Sequence, residues 1–120
     1  MYKPGFTIWY DVADLDRSIA FFTEKLQFEL VFHDVEGGMV IVGTNTKDCT
    51  IGFSQSERVI PSTSSSVFEV ANIEKAVQDL SAKGVSFVGE IEEVPGMVKL
   101  ATFVDPDGHN YMLSESLIPL

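Results

Sequence analysis

Residues that build disulfides and metal centres are scarce in this sequence. Its 120 residues contain one cysteine and two histidines. A single cysteine excludes an internal disulfide and any zinc site that needs several thiolates. The densest group of oxygen and nitrogen ligands is Asp105, Asp107 and His109, within "FVDPDGHNYMLSES" (103–116). That segment is the first candidate for a metal site.

Basic residues are also few. Lysine and arginine together number 8 against 18 aspartates and glutamates, which gives a formal net charge of −10. Such a charge repels phosphate backbones and anionic lipid surfaces, so nucleic-acid and membrane partners are disfavoured. A cationic small molecule would be attracted, although the same charge also serves solubility.

Long apolar runs and targeting signals are missing as well. No run of about 18 apolar residues could cross a bilayer. The start, "MYKPGFTIWYD", has no basic region followed by an apolar stretch, so no signal peptide is expected and a cytoplasmic location follows. With 45% hydrophobic and 22% charged residues, the composition is that of one folded domain.

Two segments of the chain are similar without gaps. "YDVADLDRSIAFF" (10–22) aligns with "FEVANIEKAVQDL" (68–80), 58 residues further on. A similarity repeated at about half the chain length indicates one supersecondary unit used twice.

Each copy has the pattern of a strand, a helix and three more strands. "FTIWYDV" and "SSVFEV" predict the first strands, and Asp14 and Asn72 are placed to cap the helices. Apolar residues then recur at helical spacing, and Gly84 ends the second helix. The remaining strands are predicted at residues 28–35, 39–44 and 49–54, and at residues 86–92, 97–104 and 109–115.

The sequence therefore predicts an α+β fold of two tandem βαβββ modules. We expect curved mixed sheets around a cleft, with the helices on the outer faces. Module 1 covers about residues 1–56 and module 2 about residues 64–120. The polar, proline-containing stretch at about 57–63 is the predicted linker.

This arrangement, with "VADLDRSIAFFTEKLQFEL" early and "FVDPDGHNYMLSE" late, resembles the vicinal oxygen chelate superfamily. Its members include glyoxalase I, extradiol dioxygenases, and fosfomycin- and bleomycin-resistance proteins. The resemblance covers nearly the whole chain and implies a fold, while one fold supports many functions. Metal-dependent members hold a divalent ion with three or four histidines or glutamates, and the ion acts as a Lewis acid.

The resemblance places the four metal-ligand positions of the family at Thr7, Gly52, Ser65 and Met112. None is a carboxylate or an imidazole, and hydroxyls and a thioether hold divalent ions such as Zn²⁺ or Mn²⁺ poorly. The resemblance thus implies no metal and no other cofactor. It is closest in kind to the metal-free, ligand-sequestering branch typified by bleomycin-resistance proteins.

Strand alternation adds four residues to the candidate ligand-binding cleft. Trp9 and Asp11 share the parity of Thr7, and Val67 and Glu69 share that of Ser65. An indole and two carboxylates would suit a flat or cationic ligand through stacking, cation–π attraction and ion pairing. The alternative places Trp9 in the core and both acids in solvent.

No residue is assigned a catalytic role. His33 is expected at the surface, at the end of a strand, and His109 is expected to face away from Met112 because their separation is odd. "DPDG" lacks the ligand pattern of an EF-hand loop and fits a type I turn, with Asp105 bonded back to the backbone. The turn interpretation replaces the metal interpretation of this segment.

Three functional hypotheses follow. The leading one is a metal-free protein that binds a small organic molecule, an aromatic or cationic compound, as a homodimer. The second is a lyase, isomerase or dioxygenase of the same superfamily, with ligands elsewhere or with metal-free catalysis by Asp11, Glu69 or His33. The third is a structural or regulatory module whose cavity is filled by side chains.

Overall fold

The computed structural model describes residues 1–118. Within them the chain forms eight strands and two α-helices in the order βαβββ, βαβββ, and divides into two compact units, Met1–Ile60 (unit 1) and the described residues from Pro61 onward (unit 2). The elements of unit 1 are β1 (Phe6–Val12), α1 (Leu15–Ala20), β2 (Glu29–Asp34), β3 (Met39–Gly43) and β4 (Cys49–Gln55). The elements of unit 2 are β5 (Ser66–Glu69), α2 (Ile73–Ala82), β6 (Ser86–Val94), β7 (Val98–Val104) and β8 (Asn110–Ser116).

Each unit holds one four-stranded mixed sheet. The strand order is β1-β4-β3-β2 in unit 1 and β5-β8-β7-β6 in unit 2. The first and last strands of each unit pair in parallel, and the other neighbours are antiparallel. The predicted α+β fold of tandem βαβββ modules is confirmed, whereas the bounds 1–56 and 64–120 stay a prediction.

Both helices begin at the predicted caps. Asp14 Oδ1 accepts a hydrogen bond of 3.1 Å from the Arg17 amide, and Asn72 Oδ1 accepts one of 3.0 Å from the Lys75 amide. These bonds satisfy amides that have no partner inside the helix. Neither helix of residues 1–118 is long and apolar enough to cross a membrane.

The first helix continues into a π-helical turn over Phe21–Lys25, which the spacing of apolar residues does not predict. The Leu26 amide reaches the Phe21 carbonyl, at 3.2 Å, across five residues. Both Phe21 and Phe22 are buried, although they are adjacent in sequence. The wider turn is a local departure from the α-helical period that governed the sequence prediction.

Buried aromatic side chains pack together in the core of each unit. In unit 1, Phe22 lies 4.6 Å from Phe53 between ring centroids, and both are fully buried. In unit 2, Phe103 stacks on Tyr111 at 5.4 Å. Burial of these large rings is the main stabilising contribution in each unit.

"DPDG" forms the predicted turn. The Gly108 amide donates to the Asp105 carbonyl at 3.0 Å, and Asp105 Oδ1 accepts from the Asp107 and His109 amides. Tyr111 Oη also donates to Asp105 Oδ2, at 3.2 Å. Burial raises the pKa of the Asp105 carboxyl above its ordinary value, against these hydrogen bonds.

His109 is 2% exposed and its Nδ1 accepts a 2.8 Å hydrogen bond from the Ser62 amide. It has the parity of the buried Tyr111, opposite to that of Met112. The structure therefore gives residues 105–111 a structural role as a turn and buried polar cluster.

Candidate functional site

Each sheet has one face packed against the helix of its own unit and a second face, here called the open face. Along β1, Tyr10 and Val12 are buried, whereas Thr7, Trp9 and Asp11 are exposed. The predicted alternation along this strand is therefore confirmed, with the three candidate residues on the open face of unit 1.

The parallel β1–β4 pair places three residues of β4 beside these side chains. Thr7 pairs with Thr50, Trp9 with Gly52, and Asp11 with Ser54. The Thr7 and Thr50 hydroxyls share a hydrogen bond of 2.6 Å. Each of these three pairs begins a row of neighbouring residues that runs across the strands of the sheet, and the pair of Trp9 and Gly52 begins the middle row.

The indole of Trp9 lies over Gly52. A Cβ built on Gly52 would be 2.8 Å from Cδ2 of Trp9 and closer still to Cε3 and Cζ3. The indole Nε1 donates a hydrogen bond of 2.7 Å to Ser54 Oγ. Trp9 nevertheless remains 46% exposed, so it is not the core residue that the alternative interpretation required.

Apolar side chains continue this middle row across unit 1. Gly52 pairs with Ile41, and Ile41 pairs with Phe32, which is 50% exposed. Sequence reasoning missed Phe32 because a register irregularity between Leu30 and Phe32 breaks the alternation of β2. It missed Ile41 because only the pairing of β3 with β4 places this residue beside Gly52. Their row became visible only through the pairing of all four strands.

Unit 2 repeats this plan with other side chains. Val67, 54% exposed, pairs with Met112, and the exposed Glu69 pairs with Ser114. Ser65 directly precedes β5 and is half-buried. Val67 and Met112 therefore stand in unit 2 where Trp9 and Gly52 stand in unit 1.

The residues at the four positions that the sequence resemblance assigns to metal ligands do not suit a divalent metal ion in either unit. In unit 1, Thr7 is hydrogen-bonded to Thr50, and Gly52 offers no side chain and lies under the indole. In unit 2, the positions offer the Ser65 hydroxyl and the Met112 thioether. Across residues 1–118, no three His, Cys, Asp or Glu side chains are grouped so that they could hold a metal ion. The donor chemistry disfavours the metal centre of the family.

The histidine of unit 1 lies apart from these residues. His33 is exposed and pairs with Val40, whose side chain is buried on the helix face. By that register His33 belongs to the helix side of β2, whereas Asp11 lies on the open face. Unit 1 therefore does not bring His33 and Asp11 together as an acid–base pair.

Comparison with known proteins agrees with this architecture. Residues 8–113 match the model of the Glyoxalase/Bleomycin resistance protein/Dioxygenase superfamily. No curated protein sequence matches the chain.

Several solved structures share the fold. A superfamily member from Sphaerobacter thermophilus is 21% identical, with a TM-score of 0.83 over 96% of this chain and 98% of that one. The fosfomycin resistance protein FosX from Listeria monocytogenes is 18% identical, with a TM-score of 0.80 over 97% and 95%. TnmS3, an antibiotic binding protein from a Streptomyces species, is 20% identical, with a TM-score of 0.77 over 96% and 97%.

Proposed function

The chain belongs to the Glyoxalase/Bleomycin resistance protein/Dioxygenase superfamily, and we propose that it is a metal-free small-molecule-binding protein that holds an aromatic or cationic compound. Proteins with a similar fold include an antibiotic binding protein and a fosfomycin resistance protein. Binding alone requires no reacting group, in keeping with the placement of His33 and Asp11 on different sides of the sheet of unit 1.

One observation carries the proposal: the indole of Trp9 covers Gly52. The sequence resemblance assigns a metal ligand of metal-dependent members to this position. An exposed aromatic surface replaces a metal donor there. Indole rings bind flat ligands by stacking and cations through the face of the ring. The proposed ligand contacts in unit 1 are Thr7, Trp9, Asp11 and Gly52. Those proposed in unit 2 are Ser65, Val67, Glu69 and Met112.

Charge supports the cationic side of the proposal. Asp11 and Glu69 are exposed and stand at equivalent positions of the sequence repeat. Asp11 pairs with Ser54 in unit 1, and Glu69 pairs with Ser114 in unit 2. The net charge of −10 adds a long-range attraction for cations. A positively charged organic compound is therefore favoured over an anionic one.

The fluorescence of Trp9 provides the test, because it is the only tryptophan. Protein dialysed against a chelator is titrated with flat cations, flat neutral compounds and flat anions. We expect saturable quenching by flat cations without added metal, and weaker binding to an Asp11→Asn variant. Tight stoichiometric uptake of Mn²⁺, Ni²⁺ or Zn²⁺, with ligand binding that depends on it, would contradict the proposal.

The proposal includes a homodimer in the cytoplasm. Light scattering of the purified chain at several concentrations measures the oligomeric state directly. A dimer mass that persists on dilution supports this part of the proposal, and a monomer mass throughout removes it.

A further inference from the structure

The orientation of the Trp9 indole depends on two residues of β4 that contribute no ring and no charge. Gly52 lies beside Trp9 in the β1–β4 pair, and Ser54 accepts the indole hydrogen bond at 2.7 Å. A side chain on a sheet surface ordinarily keeps freedom to rotate. Here the hydrogen bond fixes the rotation of the ring.

Gly52 provides the space for the ring. The six-membered ring of the indole fills the volume that a Cβ at position 52 would need. The backbone of Gly52 lies outside the left-handed region, so the requirement is for space and not for conformation. Even a methyl group there would force the indole off the strand.

Unit 2 shows that the serine alone does not make such a surface. Ser114 pairs with Glu69 as Ser54 pairs with Asp11, yet the neighbouring pair is Val67 with Met112. Of these equivalent pairs in the two units, the pair in unit 1 combines a large ring, a glycine beneath it and a nearby hydroxyl acceptor.

We infer that Gly52 and Ser54 are positioning residues that hold the Trp9 indole as a stacking surface, and that this surface takes a planar aromatic cation. The inference rests on the proposed function. A fixed, 46% exposed ring favours a flat ring system in offset stacking. Phe32 and Ile41 extend the apolar row beyond the indole, and Asp11 lies one row away, beside Ser54, to attract the positive charge.

Isothermal titration with two cations tests the inference. Proflavine is a planar aromatic cation, and tetraethylammonium carries the same charge without a flat ring. The variants are Gly52→Ala, Ser54→Ala and Trp9→Ala, with Ser54→Thr as the control that keeps a hydroxyl. The indole N–H signal of Trp9 in a ¹H–¹⁵N spectrum reports independently on the hydrogen bond to Ser54.

We expect each of the three alanine variants to weaken proflavine binding by about five- to tenfold, since one stacked aromatic pair accounts for a difference of that order. Tetraethylammonium, which the face of the indole can attract but which cannot stack on it, should lose less affinity than proflavine in each of these variants. The indole signal should move in Ser54→Ala, and Ser54→Thr should keep the wild-type proflavine affinity and the wild-type indole signal. Should Gly52→Ala fail to fold, Ser54→Ala and its threonine control carry the test.

The results distinguish the positioning roles of Gly52 and Ser54 from the proposed function of the chain. If Trp9→Ala loses proflavine while Gly52→Ala and Ser54→Ala bind it like the wild type, the positioning roles are wrong and the proposed function stands. If the wild-type chain binds no aromatic or cationic compound, the proposed function itself is wrong.

Discussion

The two units share one backbone plan and differ in the side chains at the middle row of their open faces. In unit 1 this row pairs Trp9 with Gly52, and in unit 2 it pairs Val67 with Met112. The first pair concentrates its volume in one fixed ring, whereas the second divides it between two flexible or branched aliphatic chains. A repeated fold can thus place an exposed aromatic ring over a glycine in one copy and aliphatic side chains at the equivalent position of the other.

A second comparison shows what the repeat has kept. The amide of Leu15 donates to Gln55 Oε1 at 3.0 Å, and the amide of Ile73 donates to Glu115 Oε1 at 2.8 Å. In both units the end of the last strand satisfies the first amide of the helix. The scaffold contact is retained with a neutral acceptor in one unit and an acidic residue in the other.

The largest expected effect concerns the cores. Phe22 is fully buried against Phe53, whereas Leu80, at the matching point of the repeat, is half-buried. Phe22→Ala should lower the free energy of unfolding by about 3–5 kcal/mol, and Leu80→Ala by about 1–2 kcal/mol, because the cost follows the buried volume removed. Chemical denaturation of both variants measures this. Equal losses would show that the two helices are equally important to the cores.

Exchanging the middle rows tests the functional comparison. The double variant Trp9→Val, Gly52→Met gives unit 1 the side chains of unit 2 and should weaken binding of planar cations about tenfold, a change of about 1.4 kcal/mol.

The reverse exchange, Val67→Trp with Met112→Gly, gives unit 2 an indole within reach of Ser114. We expect a second indole N–H signal with the shift of a hydrogen-bonded donor. A signal at the position of a solvent-exposed indole would show that the β5–β8 pair does not support this geometry.

The turn of unit 2 predicts a pH dependence. Because burial raises the pKa of Asp105 above 3.8, the folded chain holds this proton more tightly than the unfolded chain. Stability from this group is fully present below pH 3.8 and is lost as the pH rises through the raised pKa.

The matched variants for this prediction are Asp105→Asn and Tyr111→Phe. The first should remove the decline, measured as free energy of unfolding against pH. The second should extend it to higher pH, since the Tyr111 hydrogen bond lowers the pKa of Asp105. An unchanged decline in Asp105→Asn would assign it to other groups.

The smallest effects concern the helix starts. Gln55→Ala and Glu115→Ala should each cost about 1 kcal/mol, because each leaves a helix amide without its acceptor. Glu115→Gln keeps an oxygen acceptor, copies unit 1 and should change stability by less than about 0.5 kcal/mol. Thermal unfolding of the three variants decides this, and a large loss in Glu115→Gln would mean that the charge of Glu115 matters.

Local chemistry allowed much of the fold to be predicted from the sequence. Asp14 and Asn72 cap their helices as expected, and the alternation along β1 correctly grouped Thr7, Trp9 and Asp11. These features depend on neighbours in sequence, where capping and strand alternation are strong signals.

The remaining features depend on contacts between distant segments. The placement of the Trp9 indole over Gly52 follows from the register of two parallel strands that are far apart in sequence, which no local pattern specifies. The register irregularity near Phe32 and the π-helical turn at Phe21 are likewise departures from the regular periods used in prediction.

The most direct test of metal-free recognition on the open face of unit 1 is the single indole N–H signal of Trp9 in a ¹H–¹⁵N spectrum. It should keep its position and intensity when equimolar Mn²⁺ is added, and it should shift with saturation when a planar aromatic cation is added instead. Paramagnetic loss of the signal at equimolar Mn²⁺, with no shift caused by the cation in the absence of metal, would contradict the account.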